Sequence, residues 1–415
     1  MKNVFYHLQL GIALMLSTGL SAESLSLKWS ELPPLPPSPG QTLQAGLAGP
    51  YAGVHNDALL VAGGANFPGK PPWAGGIKSW WADILVFTKR AGGGYEWITD
   101  VKFKLPRAMG YGVSFNTPEG VVCVGGADND LCYRDVFMLS WNPQKRAIAT
   151  VALPALPKPL GFMGGAMIGS TIYVAGGQLM VKDPKFAPCL WALDLSKRGT
   201  TGFGWEELPA FPGPGRIIPV VAAQSDGTND CLYVFSGRLP KAGAAAELLT
   251  DGYAYNPVTK TWKVLANPTG AMNAGPTGAC VMGATAAVEG SEEILLMGGD
   301  RGKLFSVLEA HDLKVVALKE QLAMPGAESV SLQKQIDAEL QAKIEIYESH
   351  PGFVREILAY NTRTDSWRVV GQMPTSSPVT TLAIKWGDAW IIPTGEEKPG
   401  IRTTRVHRLV VKQAK

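Results

Sequence analysis

Histidine is scarce in this sequence, and no segment carries a run of basic residues. Five histidines are scattered over the 415 residues, at His7, His55, His311, His350 and His407. A metal centre built on histidine is therefore not expected, and we predict no metal site. Lysine and arginine together number 38, against 35 aspartates and glutamates, which gives a net charge of +3. This small excess argues against a protein that binds nucleic acid.

Cysteine is also scarce, and its spacing matches no CxxC motif. The five cysteines are Cys123, Cys132, Cys189, Cys231 and Cys280. One or two disulfides are the most that this number allows, and Cys123–Cys132 is the only local candidate pair. Cys123 lies in an apolar stretch that is typical of a strand, so a buried free thiol is the favoured interpretation for it.

The chain lacks the run of about 20 apolar residues that a transmembrane helix needs. A shorter apolar run at residues 10–16 follows Lys2 and precedes small residues that end at Ala22. This order is typical of a secretory signal peptide. We predict a signal peptide at residues 1–22 and a periplasmic or secreted mature protein that does not insert into a membrane. A buried N-terminal strand is the alternative.

Glycine, proline and tryptophan are abundant by contrast. The sequence has 48 glycines, 31 prolines and 12 tryptophans, and 46% of its residues are hydrophobic. Enough apolar residues are present for a large core, which excludes a disordered chain. Many turns and few long helical stretches predict an all-β protein.

An apolar strand that ends in a glycine-containing doublet recurs six times. The doublets are Gly63-Gly64, Gly125-Gly126, Gly176-Gly177, Ser236-Gly237, Gly298-Gly299 and Thr394-Gly395. Another short apolar strand precedes most of them, an alternating strand follows, and a tryptophan such as Trp205 often opens a fourth. Four strands in about 50 residues is the period of a kelch repeat.

The two ends of the sequence indicate a closed ring. The sixth unit lacks its tryptophan strand, whereas the mature N-terminus begins with a segment around Trp29 that matches the segment around Trp205. We therefore predict one domain at residues 23–415, an all-β, six-bladed kelch-type β-propeller whose N-terminal strand completes the last blade. Two unrelated β-sandwiches are the alternative.

One insertion interrupts the repeat. The doublets at Gly299 and Gly395 are 96 residues apart, against 51 to 62 elsewhere. Within this gap, apolar residues recur every four positions over residues 331–348, which predicts an amphipathic helix. We expect a helical insertion at about residues 303–350. It is either a packed decoration or a cover over the axial mouth or a partner surface.

The loop after the sixth doublet carries the strongest chemical signal. Two glutamates, a lysine and an arginine lie at residues 396–402, where we expect the other units to have neutral residues. The Lys-Pro-Gly turn is a tight reversal that would bring Glu396 near Arg402. A carboxylate beside a guanidinium at the propeller axis can combine proton transfer with anion binding. A surface ion pair is the alternative.

Residues 395–402 read Gly-Glu-Glu-Lys-Pro-Gly-Ile-Arg. This stretch resembles the Gly-Glu-x-Lys-Pro-Gly-x-Arg motif of the sialic acid mutarotases, or N-acetylneuraminate epimerases, which are periplasmic six-bladed kelch propellers. Further segments are similar to the same family, at residues 48–64, 107–114, 234–237 and 255–262. The order of the blades is rotated relative to the usual enzymes, so the chain resembles a cyclically permuted branch.

The resemblance implies an isomerase that interconverts the anomers of N-acetylneuraminate or a related acidic sugar. Glu396 matches the proton-transferring carboxylate of the family, and Arg402 matches its essential arginine. No cofactor is implied, the partner is a small acidic sugar, and a homodimer stays open. A kelch propeller that binds a carbohydrate or a protein without catalysis is the alternative function.

Four further residues are candidates for substrate binding. They lie where inner strands start or just after a doublet, so we expect them to line the channel: Arg107, Tyr111, Arg216 and Arg301.

Overall fold

The computed structural model describes residues 25–37, 41–90, 92–182, 185–186, 188–268, 271 and 280–413. The predicted signal peptide, residues 1–22, lies outside the described residues. The described part of the chain forms six four-stranded antiparallel sheets, three two-stranded hairpins and one pair of helices.

The strands of the first three blades follow one another along the chain. After β1 (Leu25–Leu32), the first blade and its hairpin comprise β2 (Tyr51–His55), β3 (Ala58–Ala62), β4 (Ala65–Asn66), β5 (Ser79–Trp80), β6 (Asp83–Lys89) and β7 (Tyr95–Lys104). The second comprises β8 (Val113–Thr117), β9 (Gly120–Val124), β10 (Val136–Asn142) and β11 (Ala147–Ala152). The third comprises β12 (Gly164–Ile168), β13 (Thr171–Ala175), β14 (Leu190–Asp194) and β15 (Trp205–Leu208).

The last three blades carry the longer connections. The fourth comprises β16 (Val220–Ser225), β17 (Asp230–Phe235), β18 (Arg238–Lys241), β19 (Ala244–Leu248), β20 (Gly252–Asn256) and β21 (Thr261–Val264). The fifth comprises β22 (Thr285–Glu289), β23 (Glu293–Met297), α1 (Lys303–Leu322), α2 (Ser329–Ser349), β24 (Glu356–Asn361) and β25 (Ser366–Gln372). The sixth comprises β26 (Ile384–Trp386), β27 (Ala389–Pro393), β28 (Glu396–Lys398), β29 (Ile401–Arg402) and β30 (Val406–Gln413).

The sheets form a ring, which confirms the predicted six-bladed propeller. The first strands of neighbouring blades contact one another, as β2 contacts both β8 and β26, so the first strands surround the axis. The second strands are buried on both faces, and every residue of β3 and β9 is buried. The outermost strand of the sixth sheet is β1, which pairs antiparallel with β30 from Leu25–Gln413 to Leu32–Val406.

Tryptophans of the outer strands join four of the six blades to the blade before them. In each case the indole N–H donates to a backbone carbonyl at the end of the preceding blade, 2.7–3.0 Å away: Trp97 to Pro33, Trp205 to Pro154, Trp262 to Pro209 and Trp367 to Ala266. The repeated tryptophan therefore contributes a hydrogen bond between blades as well as apolar packing.

Both residues of each doublet have a positive φ, which explains why glycine recurs there. At Gly395, φ is 122°, a conformation that side chains rarely adopt, whereas Thr394 before it has a φ of 55°. The left-handed region near 55° costs a non-glycine residue only modestly, so the first position tolerates Thr394 and Ser236. The Thr394 hydroxyl donates to the Thr403 carbonyl at 2.6 Å, which holds the turn in place.

Backbone hydrogen bonds join the six blades in a closed circle around the axis. In each, the amide N–H of one residue donates to the carbonyl of its counterpart in the neighbouring blade, with N···O distances of 2.7–3.3 Å. We call this circle the axial ring; its members are Gly49, Tyr111, Phe162, Ile218, Gly283 and Thr380. All six have a positive φ, so the ring fixes the same backbone turn in every blade.

The insertion in the fifth blade is a hairpin of two antiparallel helices. The sequence predicted one helix over residues 331–348, which corresponds to α2, but did not locate α1. Both helices are largely exposed: α1 buries only Leu308 and Val315, and α2 buries only Ile336. Neither helix of the described part is long and apolar enough to cross a lipid bilayer.

All five cysteines are free thiols, including the pair Cys123 and Cys132. Cys123 is fully buried in β9, as expected of a core thiol. Burial raises the pKa of Cys132 to about 11, so this thiol is protonated at neutral pH.

Candidate active site

Glu396 and Arg402 are paired across a short hairpin at the axial end of the sixth blade. They are register partners in β28 and β29, joined by a turn in which Gly400 has a φ of 81°. Glu396 Oε1 accepts a hydrogen bond from the Gly400 amide at 2.7 Å and lies 3.3 Å from Arg402 Nη1. Only 16% of the Glu396 side chain and 4% of the Arg402 side chain are exposed. The pair is therefore sheltered.

The guanidinium of Arg402 is not saturated by the protein. Its Nη1 lies within ion-pair distance of Glu396 but lacks hydrogen-bond geometry, and neither Nε nor Nη1 has a hydrogen-bond partner among the described residues. The guanidinium carbon lies 4.8 Å from the centre of the Phe67 ring. Buried N–H groups without acceptors cost free energy, so these two nitrogens are suited to receive an anionic ligand.

Glu396 is one of six equivalent residues around the axis. In every blade, the residue after the doublet forms an isolated backbone bridge to the residue before the axial-ring member. We call this place the post-doublet position; its occupants are Ala65, Ala127, Gln178, Arg238, Asp300 and Glu396. The last three occupants, in successive blades, form a charged arc, whereas the first three are small or neutral.

The charged arc corrects an expectation from the sequence. The loop at residues 396–402 was expected to be charged where the other units are neutral, but Arg238 and Asp300 occupy the same position in the fourth and fifth blades. An alignment of the six doublets extended by one residue would have found both.

Asp300 is buried beside other charges of the arc. Burial raises the pKa of Asp300 above its ordinary value, and the negative charge of Glu396 adds to the rise. A hydrogen bond of 2.7 Å from the Gly302 amide and the positive charge of Arg238 oppose it. The net direction is upward, which favours a neutral carboxyl group more than in water.

Arg238 is the second cation of the site. Its guanidinium carbon lies 4.4 Å from the centre of the Phe305 ring, and its Nε has no hydrogen-bond partner among the described residues. Burial lowers the pKa of Arg238, and the nearby acids Asp300 and Glu309 oppose this effect. Like Arg402, Arg238 has an N–H group that a ligand could satisfy.

The helical insertion closes one side of the site. Tyr347 of α2 stacks on Trp73 with ring centres 5.0 Å apart and planes 5° apart. Lys398, from the turn between Glu396 and Arg402, donates to the Tyr347 carbonyl at 3.3 Å. Gly400 packs directly against Trp73, so a larger residue there would collide with it. The insertion is therefore in contact with the hairpin that carries Glu396 and Arg402.

Tyr111 lies at the axis, within the axial ring. Its ring lies 4.7 Å from that of Phe162 and 5.5 Å from that of Trp80, and the Lys78 ammonium lies 4.5 Å from its centre. The Trp80 indole N–H has no hydrogen-bond partner in the described part of the chain. These aromatic and cationic side chains offer further contacts to a ligand. The sequence predicted a binding role for Tyr111 but not for Trp80 or Lys78.

The three other predicted binding residues differ in their availability. Arg107 is half-exposed and lies 3.5 Å from Asp135. Arg301 donates from Nη2 to Glu356 at 2.9 Å, and its Nη1 has no partner among the described residues. Arg216 is fully buried, and both of its Nη atoms donate hydrogen bonds to Asp251. These atoms are therefore occupied by the protein and are not available to a ligand.

A cavity along the propeller axis does not include the residues of the charged arc. It is an axial channel of about 400 Å³ lined by the inner strands and the axial ring, with small residues such as Ala166, Ala222 and Ala286. No post-doublet residue lines it. The Glu396–Arg402 pair therefore lies outside this cavity, at the mouth on the other side of the axial ring.

Comparisons with known proteins agree with this architecture. A solved structure titled "Structure of YjhT" aligns with 92% of this chain and 99% of its own, with a TM-score of 0.55 and 13% sequence identity, which shows the fold. An N-acetylneuraminate epimerase of Haemophilus influenzae is 30% identical over 252 residues, which are 60% of this chain and 57% of the relative. One of Brucella melitensis is 40% identical over 124 residues, 28% of this chain and 30% of the relative.

The chain thus matches 57% of the length of the first of these relatives and 30% of the length of the second. The model of one family, described as N-acetylneuraminate epimerase, matches a much larger part, residues 16–148 and 153–415. On this match, the chain belongs to the N-acetylneuraminate epimerase family.

Proposed function

We propose that this protein is a mutarotase that interconverts the anomers of N-acetylneuraminate, or of a related acidic sugar, by opening and reclosing the sugar ring. The family match and the names of the relatives support this reaction. The observation that carries it is the sheltered Glu396 beside Arg402, whose Nε and Nη1 have no hydrogen-bond partner among the described residues.

Ring opening moves one proton. The anomeric hydroxyl must lose a proton and the ring oxygen must gain one, while the bond between C2 and the ring oxygen breaks. Glu396 is the group that accepts the hydroxyl proton and passes it to the ring oxygen, directly or through a water molecule. One such group typically accelerates a reaction by ~10²–10⁴-fold. This step uses a side chain and water, and no cofactor takes part in it.

Arg402 binds the carboxylate at C1 of the sugar. Its unpaired N–H groups supply charge-assisted hydrogen bonds, which are among the strongest available to an anion. The stacked pair Trp73 and Tyr347 and the hairpin turn at Gly400 hold the catalytic hairpin in place. The sugar is thereby held with its anomeric hydroxyl towards Glu396.

We also propose that residues 1–22 direct export, so that the enzyme meets its sugar in the periplasm or outside the cell, and that the rotated blade order is a circular permutation. The mass of the protein recovered after expression with its own N-terminus tests the first point. Cleavage after Ala22 is the expected result, and an uncleaved protein in the cytoplasm would contradict it.

The function is tested by anomer exchange in NMR. Wild-type protein should accelerate exchange of N-acetylneuraminate above the spontaneous rate, and Glu396→Gln should lose about 10²–10⁴-fold of that acceleration. Glu397→Gln is the matched control, because Glu397 pairs with Arg405. A panel of other acidic sugars defines the substrate. A wild type that binds the sugar without accelerating exchange would show a binding module instead.

A further inference from the structure

The mouth of the propeller contains two combinations of a carboxyl group and a guanidinium. Glu396 stands with Arg402 in the sixth blade. Asp300 and Arg238 occupy the next two post-doublet positions of the charged arc, and each contributes to the electrostatic environment of the other. In both combinations the arginine has at least one buried nitrogen without a hydrogen-bond partner among the described residues.

The chemistry of the proposed substrate gives this duplication a reason. The anomeric carbon of a 2-keto-acid sugar carries the ring oxygen, C3, a hydroxyl and a carboxylate. Inversion at that carbon, with the ring oxygen and C3 held still, exchanges the places of the hydroxyl and the carboxylate. A site that holds the sugar in one orientation must therefore bind a carboxylate and transfer a proton at each of two places.

We propose that Asp300 and Arg238 form the second of these places, so that Asp300 is a second proton-transferring residue and Arg238 binds the carboxylate of the other anomer. This inference rests on the proposed function and deepens it. The arc geometry supports it, since Arg238, Asp300 and Glu396 hold one backbone position in three successive blades.

The two carboxyl groups also have different surroundings. Glu396 faces Arg402 at 3.3 Å, whereas the closest donor to Asp300 is the Gly302 amide, and Asp300 has no ion pair within 4.0 Å among the described residues. Burial and the charge of Glu396 raise the pKa of Asp300. Two carboxyl groups in different environments are suited to the opposite roles of base and acid.

The proton balance closes for both carboxyl groups. Glu396 takes the hydroxyl proton and gives one to the ring oxygen, as the ring C–O bond breaks and the C2 carbonyl forms. Rotation at C2 then exchanges the carbonyl oxygen and the carboxylate. Asp300 donates its proton to the carbonyl oxygen, while its other oxygen takes the proton of the ring hydroxyl and the C–O bond re-forms. Both groups return to their starting states.

Exchange kinetics provide the first test. Asp300→Asn should accelerate anomer exchange at least tenfold less than wild-type protein does, because both directions of the exchange use both carboxyl groups. Asp388→Asn is the matched control, since Asp388 is largely exposed and pairs with Arg408. If Asp300→Asn exchanges anomers at the rate of this control, a single carboxyl group suffices and the inference is overturned.

Binding of sugars that cannot open provides the second test and does not depend on turnover. The α and β methyl glycosides of N-acetylneuraminate are fixed anomers. By calorimetry, Arg402→Lys should weaken binding of one glycoside at least tenfold more than the other, and Arg238→Lys should show the opposite preference. If both variants weaken binding of the same glycoside, the inference is contradicted. This test uses neither turnover nor Asp300→Asn, so it still applies if that variant does not fold.

The two proposals fail in different ways. A wild-type protein that does not accelerate exchange removes the proposed function, and the inference with it. A wild-type protein that accelerates exchange, with Asp300→Asn equally active, removes the inference alone.

Discussion

Two arginine–carboxylate pairs in this propeller differ in how completely the arginine is hydrogen-bonded. Arg216 donates through both Nη atoms to Asp251 at 2.6 and 2.9 Å, and to the carbonyls of Ser236 and Pro214. Arg402 lies 3.3 Å from Glu396, and two of its nitrogens have no partner among the described residues. The Arg216–Asp251 pair thus stabilises the fold, whereas Arg402 beside Glu396 keeps N–H groups that can bind a ligand.

The six post-doublet positions show a similar contrast between the two halves of the propeller. The post-doublet residues of the first three blades are small or neutral, and those of the last three are charged. All six serve the same backbone bridge, so the fold requires none of the three charges. The backbone bridge therefore does not account for these three charges, and burying a charged group is costly unless it is paired.

The largest expected effect on stability separates the two pairs. Arg216→Met should lower the free energy of unfolding by about 3–5 kcal/mol, because it leaves Asp251 without its buried partner. Urea denaturation measures this loss, and the folded fraction should keep its anomer-exchange rate. A change below about 1 kcal/mol would show that the pair is not structural.

The matched change in the other pair should affect binding instead. Arg402→Met should weaken binding of the sugar acid by about 1.5–3 kcal/mol, or roughly 10- to 150-fold, the value of hydrogen bonds to a charged group. Its urea midpoint should fall less than that of Arg216→Met, since Arg402 Nη1 lies 3.3 Å from Glu396 but makes no hydrogen bond to it. Calorimetry with the sugar acid checks the first point. A large loss of stability with unchanged affinity would reverse the comparison.

Acid should remove the contribution of the structural pair. Burial alone would raise the pKa of Asp251, but the hydrogen bonds and charge of Arg216 outweigh it and lower that pKa. A lowered pKa in the folded state means that stabilisation is present above the unfolded value of ~3.9 and is lost as pH falls through the folded value. The stability difference between wild type and Asp251→Asn should therefore be full at pH 7 and shrink below pH ~4. A constant difference would contradict this.

The smallest expected effect concerns Asp300 and has the opposite sign. Its pKa is raised in the fold, chiefly by burial, so the folded state binds more protons than the unfolded state and loses stability as pH rises from the unfolded value through the folded value. Asp300→Asn should stabilise the protein at pH 7, on the order of 1 kcal/mol, and have little effect below pH ~4. Thermal denaturation at both pH values measures it, and destabilisation at pH 7 would contradict the argument.

The sequence predicted those features that recur or that depend on a local turn. The six doublets predict the number of blades, and the Lys-Pro-Gly turn predicts that Glu396 lies beside Arg402, as it does in the hairpin. Both depend on residues within a few positions of one another or on a regular period, which a single sequence displays.

Features that depend on distant contacts were not predicted. Spacing suggested that Arg216 lines the channel, but Asp251, in another strand connection, fixes its direction. The stacking of Trp73 on Tyr347 joins the first blade to the insertion of the fifth and has no local signal. Arg238 and Asp300 were not predicted either, although both lie directly after a doublet and an alignment of the six doublets displays them.

A crystal structure of the protein with a bound sugar acid tests the central claim most directly. The account predicts the sugar carboxylate within hydrogen-bond distance of Arg402 Nε or Nη1 and the anomeric oxygen within reach of Glu396, above the axial ring. A sugar bound in the apolar channel on the other side of that ring, with both Arg402 nitrogens left unfilled, would contradict it.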